Sequence, residues 1–102
     1  STLENYQLDD NFTISEVKAK PEFFGKTLAE LDSIDKYRLT LVTIIRKREK
    51  RNLIGKKSIV KETIGRPSPD TIVLEDDILV VYGYNKDIET YCLGQEEHQI
   101  RS

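Results

Sequence analysis

The chain has 102 residues, of which 37% are apolar and 33% charged, with a net charge of −2 and one cysteine. This length supports a single domain with a modest core. No apolar stretch approaches the roughly 20 residues of a membrane helix, and we expect no signal peptide. Cys92 is the single cysteine, so no disulfide can form within the chain, which suits a reducing compartment. We interpret Cys92 as a small apolar residue on a helix face.

The charge is distributed unevenly along the chain. Residues 46–66 contain nine Lys or Arg and two Glu, a net charge of +7, so the remaining residues carry −9. Such a basic segment is typical of a solvated hairpin, of a contact with an anionic lipid surface or a partner protein, or of a nucleic-acid site. Nucleic acid is the least favoured of these, because no aromatic residue is interleaved to stack on bases and the acidic remainder repels a polyanion.

Residues 1–11 are predicted to be a lead-in segment, in which Asp9, Asp10 and Asn11 form a turn and Tyr6 and Leu8 dock on the body. Residues 12–17 alternate and predict a first strand, with Phe12, Ile14 and Glu16 on one side and Thr13, Ser15 and Val17 on the other. Pro21 ends this strand, since proline has no N–H for a ladder.

A helix is predicted over residues 27–36. Thr27 and Glu30 have the spacing of a capping box, and an apolar residue recurs every third position at Leu28, Leu31, Ile34 and Tyr37. Residues 38–45 form a β-branched apolar run that indicates a buried strand. We expect residues 46–50 to extend it, 52–55 to turn and 58–64 to return as a partner strand, with a disordered tip as the alternative.

Gly65, Pro67 and Pro69 predict a stiff turn that leads into the last part of the chain. There we predict a short strand at residues 72–74, a solvated acidic corner at 75–77 and a central strand at 78–82. Gly83 is then expected to allow a turn, and Asn85 to cap a helix on which Ile88, Tyr91 and Cys92 share a face. Residues 94–102 are expected to be a fraying polar tail.

These elements define an α+β domain with a mixed or antiparallel sheet of about four to five strands and two helices packed on it. Its residues offer no catalytic constellation. His98 lies in the polar tail without a second histidine, and neither Gly-Lys pair has the glycine that a Walker phosphate loop requires. Glu75, Asp76 and Asp77 could bind a divalent cation, although successive residues of a short turn seldom converge on one ion.

Two long segments resemble a known family. FTISEVKAKPEFFGKTLAELDSIDKYRLTLVTIIR at 12–46 and PSPDTIVLEDDILVVYGYNKDIETY at 67–91 are similar to the C-terminal domain of regulators of K⁺ conductance, the TrkA-C or RCK_C domain. The version in Ktr- and Trk-type potassium uptake regulators and in ligand-gated potassium channels is particularly similar. The resemblance implies a TrkA-C-like domain over residues 12–93, interrupted by a basic hairpin insertion at 47–65.

The resemblance further implies a regulatory module and not an enzyme. It implies a cytoplasmic homodimer at the inner face of the membrane, attached through an upstream Rossmann-type RCK_N or TrkA-N domain to a potassium channel or transporter. Effector binding in the dimer cleft would then change the geometry of the dimer and gate transport.

The effector that the resemblance suggests is a nucleotide such as cyclic di-AMP. The family's binders of that nucleotide use an Ile-Arg pair, an Asn and a Pro. In this sequence those places fall on Ser33, Ile34, Thr40 and either Pro67 or Pro69. Ile34 and Thr40 depart from the pattern, because they provide neither the arginine's charge nor the side-chain amide.

The residues also support a different class of function. In this alternative the domain is a dimerising interaction module that contacts a membrane partner or anionic lipid through the basic hairpin and binds no small molecule.

Overall fold

A computed structural model describes residues 4–31 and 35–101 and, for residues 94–101, the backbone alone. The strands and the α-helix are, in chain order, β1 (Glu4–Gln7), β2 (Phe12–Lys18), β3 (Thr40–Arg51), β4 (Lys57–Thr63), β5 (Ile78–Tyr84) and α1 (Asn85–Arg101). Two short 3-10 turns lie between β2 and β3, at Pro21–Phe23 and Leu28–Glu30. No helix in these two ranges has the length and apolar content that spanning a bilayer requires.

The five strands form one antiparallel sheet in the order β1-β2-β5-β3-β4. β5 is its central strand, as its run of β-forming aliphatics predicts, and the α+β class is confirmed. The expectation of two packed helices is not confirmed, since one complete α-helix and two 3-10 turns accompany the sheet, and of the first predicted helix only Asp35 and Lys36 are α-helical among the described residues.

One face of the sheet is covered by α1. Across β2 and β5, Ser15 pairs with Val81 and Val17 with Leu79, and all four side chains are buried. The helix packs on this face through the predicted side chains Ile88, Tyr91 and Cys92, which are all buried. The spacing of these three residues therefore identified the core-facing side of the helix correctly.

Tyr91 lies at the centre of an aromatic cluster beneath the helix. Its ring centroid is 5.1 Å from that of Tyr37 and 6.3 Å from that of Phe23, and its hydroxyl donates a 2.6 Å hydrogen bond to the carbonyl of Lys18. The buried Lys20 places its Nζ 4.6 Å from the Tyr91 ring centroid and donates to the hydroxyl of Tyr37 at 2.8 Å. Burial raises the pKa of Tyr91 far above its ordinary value.

The predicted helix over residues 27–36 is not continuous. The capping box is present, because the Thr27 hydroxyl accepts from the Glu30 N–H and the Glu30 carboxylate from the Thr27 N–H. It caps only a 3-10 turn, since Leu31 leaves the helical region with φ −92° and ψ 87°. Leu31 itself is buried as predicted, whereas Ile34 lies outside the described residues.

The lead-in segment is also different from the prediction. Residues 4–7 form the edge strand β1, held by hydrogen bonds from Thr13 Oγ1 to the Tyr6 carbonyl at 2.9 Å and from Ser15 Oγ to Asn5 Oδ1. Tyr6 is exposed and not docked on the body. The predicted turn is confirmed, because the Asp9 carboxylate accepts the N–H of residues 11 and 12.

Two expectations about the last third of the chain are wrong. Residues 72–74 form no strand but a single bridge between Ile72 and Thr27. Gly83 is not a turn residue; it lies inside β5, where Leu39 packs so closely that a Cβ at position 83 would lie 2.7 Å from Leu39 Cδ2. The helix α1 follows the strand directly and continues to Arg101, through most of the predicted polar tail.

The acidic corner is not a solvated turn, because Asp77 is buried. Its carboxylate accepts from Arg46 Nε at 2.9 Å and from Arg46 Nη2 at 2.8 Å, and it also accepts the Leu74 N–H at 2.8 Å. The same Nη2 donates to the Ile72 carbonyl. The hydrogen bond with Asp77 raises the pKa of Arg46, so this side chain stays charged throughout the accessible pH range.

We predict that Asp77→Ala destabilises the fold by about 3 kcal/mol, because it leaves the Arg46 guanidinium and the Leu74 N–H without their acceptor. The guanidinium keeps some contact with water, its side chain being 29% exposed, which holds the loss near the lower end for buried pairs. Urea unfolding measures this loss in the free energy of unfolding. The exposed neighbour Glu75→Ala is the control and should change stability by less than about 0.5 kcal/mol. Equal losses in both variants would contradict the assigned role of Asp77.

We also predict a loss of stability above about pH 10 that depends on Tyr91. In the unfolded chain its hydroxyl ionises near its ordinary pKa, whereas in the folded chain its raised pKa keeps it protonated. Its contribution is therefore complete below pH 10 and declines at higher pH by about 1.4 kcal/mol per pH unit.

Tyr91→Phe should remove this part of the alkaline decline and cost about 1 kcal/mol at neutral pH through the lost hydrogen bond to Lys18. Tyr6→Phe, at an exposed ring, should change neither quantity. Denaturant unfolding at a series of pH values tests both, and an unchanged alkaline slope in Tyr91→Phe would refute the assignment.

Candidate functional site

An open groove of about 490 Å³ lies beside the start of β3. Its walls come from three parts of the chain: the second 3-10 turn, the first residues of β3, and the loop that follows β4. The residues lining it are Leu28, Ala29, Leu41, Val42, Arg66, Pro67, Ser68 and Pro69. The groove is therefore built by segments that are distant in sequence.

The loop wall of the groove is fixed at both ends. The Thr43 hydroxyl donates to the Gly65 carbonyl at 2.6 Å, and Gly65 takes a left-handed φ of 83° that favours glycine. At the other end the N–H groups of Leu28 and Ala29, which begin the 3-10 turn, donate to the carbonyls of Thr71 and Pro69. These otherwise unpaired donors of a helical start thus attach the turn to the loop.

The strand wall depends on an irregularity in β3. The register between β3 and β5 shifts between Leu41 and Thr43, which marks a β-bulge at Val42. A bulge bends its strand and redirects a side chain, and here both Leu41 and Val42 line the groove. Val42 remains partly exposed there.

The chemistry of the groove is mainly apolar, with one cation. Pro67, Pro69 and the aliphatic side chains supply flat, rigid surface, and Ser68 offers a hydroxyl. Arg66 is exposed, and among the described residues its guanidinium has no hydrogen-bond or ion-pair partner. This arrangement suits a small molecule with an apolar or aromatic part and an anionic group, since arginine binds phosphate and carboxylate in a bidentate manner.

The structure brings together only some of the predicted site residues. Pro67 and Pro69 both line the groove. Thr40 is exposed at the first position of β3 and is not among the lining residues. Ser33 and Ile34 lie outside the described residues.

Sequence reasoning missed Arg66, Ser68 and the pair Leu41 and Val42. Arg66 was counted with the basic stretch, and its position directly before a proline-containing turn was the available signal. No sequence pattern marks the bulge that places Leu41 and Val42 at the same groove.

The acidic corner does not form a cation site. Asp77 is engaged with Arg46, and its two acidic neighbours are exposed. Within residues 4–31 and 35–101, as far as side chains are described, no group of three or more His, Cys, Asp or Glu side chains could hold a metal ion. The side chain of His98 lies outside this description.

The basic stretch forms an ordered hairpin, as its preferred interpretation predicts. β3 and β4 pair from Ile45 with Thr63 to Arg51 with Lys57, and the turn between them is hydrogen-bonded. The alternative of a disordered tip is not what the structure shows.

A comparison with family models identifies the class of protein. The model of the TrkA-C domain matches residues 12–93, which is most of the chain and includes the groove. The chain belongs to the TrkA-C domain family, a family of regulatory domains of potassium transport systems that are generally not catalytic. Domains of this family generally pair with RCK_N domains and transport partners. A search of curated proteins finds no match.

Proposed function

We propose that this domain senses a small anionic effector in the groove and transmits its binding to a potassium channel or transporter through a change in the geometry of a homodimer. The observation that carries this proposal is the groove itself, in a chain of a regulatory family. Hydrogen bonds fix the walls of the groove before any ligand binds, and Arg66 lies at the groove without a partner among the described residues. A preformed site of this kind loses little entropy on binding.

Cyclic di-AMP is the first effector to test. The two prolines and the aliphatic walls offer surface for a base, and Arg66 supplies the charge that Ile34 lacks at the family's usual position. A divalent cation is the second candidate effector, and it would need ligands other than the acidic corner.

We expect isothermal titration calorimetry to detect binding of cyclic di-AMP, and a concentration about 100 times the dissociation constant to stabilise the fold by about 2.7 kcal/mol. Arg66→Gln should weaken binding by about tenfold or more, because it removes a charge-assisted hydrogen bond. Arg51→Gln, at the far end of β3, should bind as the wild type does. No binding of cyclic di-AMP, other adenine nucleotides or divalent cations would exclude effector sensing by this groove.

A second copy of the chain is the partner proposed for the uncovered face of the sheet. On this face Phe12 pairs with Tyr84 and Ile14 with Tyr82 across β2 and β5, and the ring of Phe12 lies 4.1 Å from that of Tyr84 between centroids. These side chains are only partly buried, and Tyr84 is 52% exposed. No described helix covers them, since α1 lies on the opposite face. An aromatic surface of this kind is typical of a protein interface.

We predict that Tyr84→Glu shifts the dimer toward monomers by placing a charge in the apolar interface. Leu93→Glu is the matched control, because Leu93 is similarly exposed, at 56%, but lies on the helix layer. Sedimentation equilibrium measures the association constant of each variant. Dimers that resist Tyr84→Glu and dissociate with Leu93→Glu would assign the interface to the helix layer instead.

The proposed link to transport is a population shift. An effector changes gating only by its difference in affinity for two dimer geometries, and no bond is made or broken. The proposal places the domain at the inner face of the membrane, attached to an upstream Rossmann-type domain as the pairing of its family suggests.

A further inference from the structure

The outer part of the β3–β4 hairpin extends beyond the sheet. β3 pairs with β5 only as far as Ile45, whereas Arg46–Arg51 pairs with β4 alone. At about 3.3 Å per residue this two-stranded ribbon is roughly 20 Å long. It carries its turn well away from the helix layer.

The turn at the end of this ribbon has a defined conformation. The Gly55 N–H donates to the Asn52 carbonyl at 3.0 Å, so that residues 53 and 54 occupy the two central positions of a β-turn. Asn52 Oδ1 accepts the N–H of Ile54 at 3.0 Å and of Lys56 at 2.9 Å. Gly55 supplies the left-handed residue, with φ 82°, that returns the chain to β4.

Two large aliphatic residues occupy the centre of this turn. Leu53 is fully exposed and Ile54 is 85% exposed. Central turn positions ordinarily carry Gly, Pro, Asn, Asp or Ser, which suit the backbone and are soluble. Leu53 and Ile54 neither favour the turn conformation nor pack in the core. Their presence at this turn is therefore not explained by the stability of the fold.

Basic side chains follow the ribbon from its base to this apolar tip. Residues 47–61 contain seven Lys or Arg and one Glu, a net charge of +6. Ion pairs join Arg48 to Glu62 at 2.7 Å and Lys57 to Glu49 at 3.4 Å. The other basic residues have no ion pair within the described part of the chain, and we call them the basic collar: Lys47, Lys50, Arg51, Lys56 and Lys61.

We propose that the hairpin is a membrane-docking arm, whose tip inserts Leu53 and Ile54 into an anionic bilayer while the basic collar contacts lipid phosphates. In an anionic membrane the negative headgroups lie outside the hydrocarbon layer. The arm matches this arrangement, because its apolar turn would reach the hydrocarbon while the basic residues behind the turn would lie among the headgroups. The tip is also convex, as a structure that penetrates a headgroup layer must be.

Other partners fit the hairpin less well. A protein would need a concave apolar pocket ringed by acids to receive the tip. Nucleic acid would use the basic collar, but no aromatic residue lies between Thr40 and Thr63 to stack on bases, and the aliphatic tip would remain in water. Only a bilayer uses both features without a special receptor.

Co-sedimentation of the 102-residue chain with lipid vesicles tests the proposal. We expect binding to phosphatidylcholine vesicles that contain about 30% phosphatidylserine, weak binding to phosphatidylcholine alone, and loss of binding as salt increases. The double variant Leu53→Ser/Ile54→Ser should reduce the partition coefficient by about tenfold or more. Circular dichroism should show an unchanged fold, because both side chains are exposed.

The matched control is Leu74→Ser/Leu93→Ser, which removes two partly exposed leucines elsewhere and should bind vesicles as the wild type does. A polarity-sensitive fluorophore on Leu53→Cys should shift to shorter wavelength only with anionic vesicles. Cys92 is buried and should remain unlabelled.

Equal vesicle binding by the tip variant and the wild type overturns the proposal. Equal binding of the wild type to neutral and to anionic vesicles also overturns it. Retention of the chain by RNA or by polyglutamate, without binding to any vesicle, also overturns it and assigns the hairpin to nucleic acid or to an acidic protein. These outcomes are independent of effector binding, which Arg66 variants report separately.

Discussion

The buried carboxylate of Asp77 joins β3 to the irregular chain that precedes β5. Both carboxylate oxygens accept hydrogen bonds from Arg46, and one of them also accepts the Leu74 N–H. The backbone carbonyl of Asp77 accepts the N–H of Ala19, just beyond the end of β2. A buried carboxylate is costly unless each lone pair is engaged, and here a charged fork and a backbone donor engage it. This ion pair thus fixes the end of the irregular chain before β5 to β3, in addition to the hydrogen bond from Thr43 to Gly65 at its start.

The position of Arg46 gives this contact a wider role. Arg46 is the first residue of β3 after the pairing with β5 ends, and from there the strand is supported by β4 alone. An isolated two-stranded hairpin is marginally stable in water. Fixing its base through a buried ion pair lets a long, highly charged ribbon extend from a domain with a small core.

The sequence predicted the regular parts of the fold well, because periodicity reports which side chains are buried. Ile88, Tyr91 and Cys92 at helical spacing and the aliphatic run of β5 are examples, and the resemblance to the TrkA-C family was confirmed by the family match. The predicted strand at residues 72–74 was wrong because hydrogen bonds to distant backbone replaced local pairing. Val73 satisfies its backbone groups with Gly25 and Lys26, so its apolar neighbourhood forms no strand.

The candidate site was harder to predict for the same physical reason. Pro67 and Pro69 were identified through the family resemblance, but the groove also needs the bulge at Val42 and the attachment of Gly65 to Thr43. Both are tertiary features without a local pattern. Likewise, Asp77 looked like a solvated acid because its partner is 31 residues away.

β3 is continuous from the groove to the hairpin turn, and this has a mechanical consequence. Val42 forms one wall of the groove, and the turn begins just after Arg51, so a single paired strand spans the roughly 30 Å between these ends. From Thr43 to Ile45 the strand is paired with β5, and at Arg46 it is fixed to Asp77, so this part cannot pivot without breaking those contacts. Beyond Arg46 only β4 supports the strand, and there a bend of about 5° would displace the turn, roughly 20 Å away, by roughly 2 Å, so the outer ribbon acts as a lever that enlarges a small movement at its base.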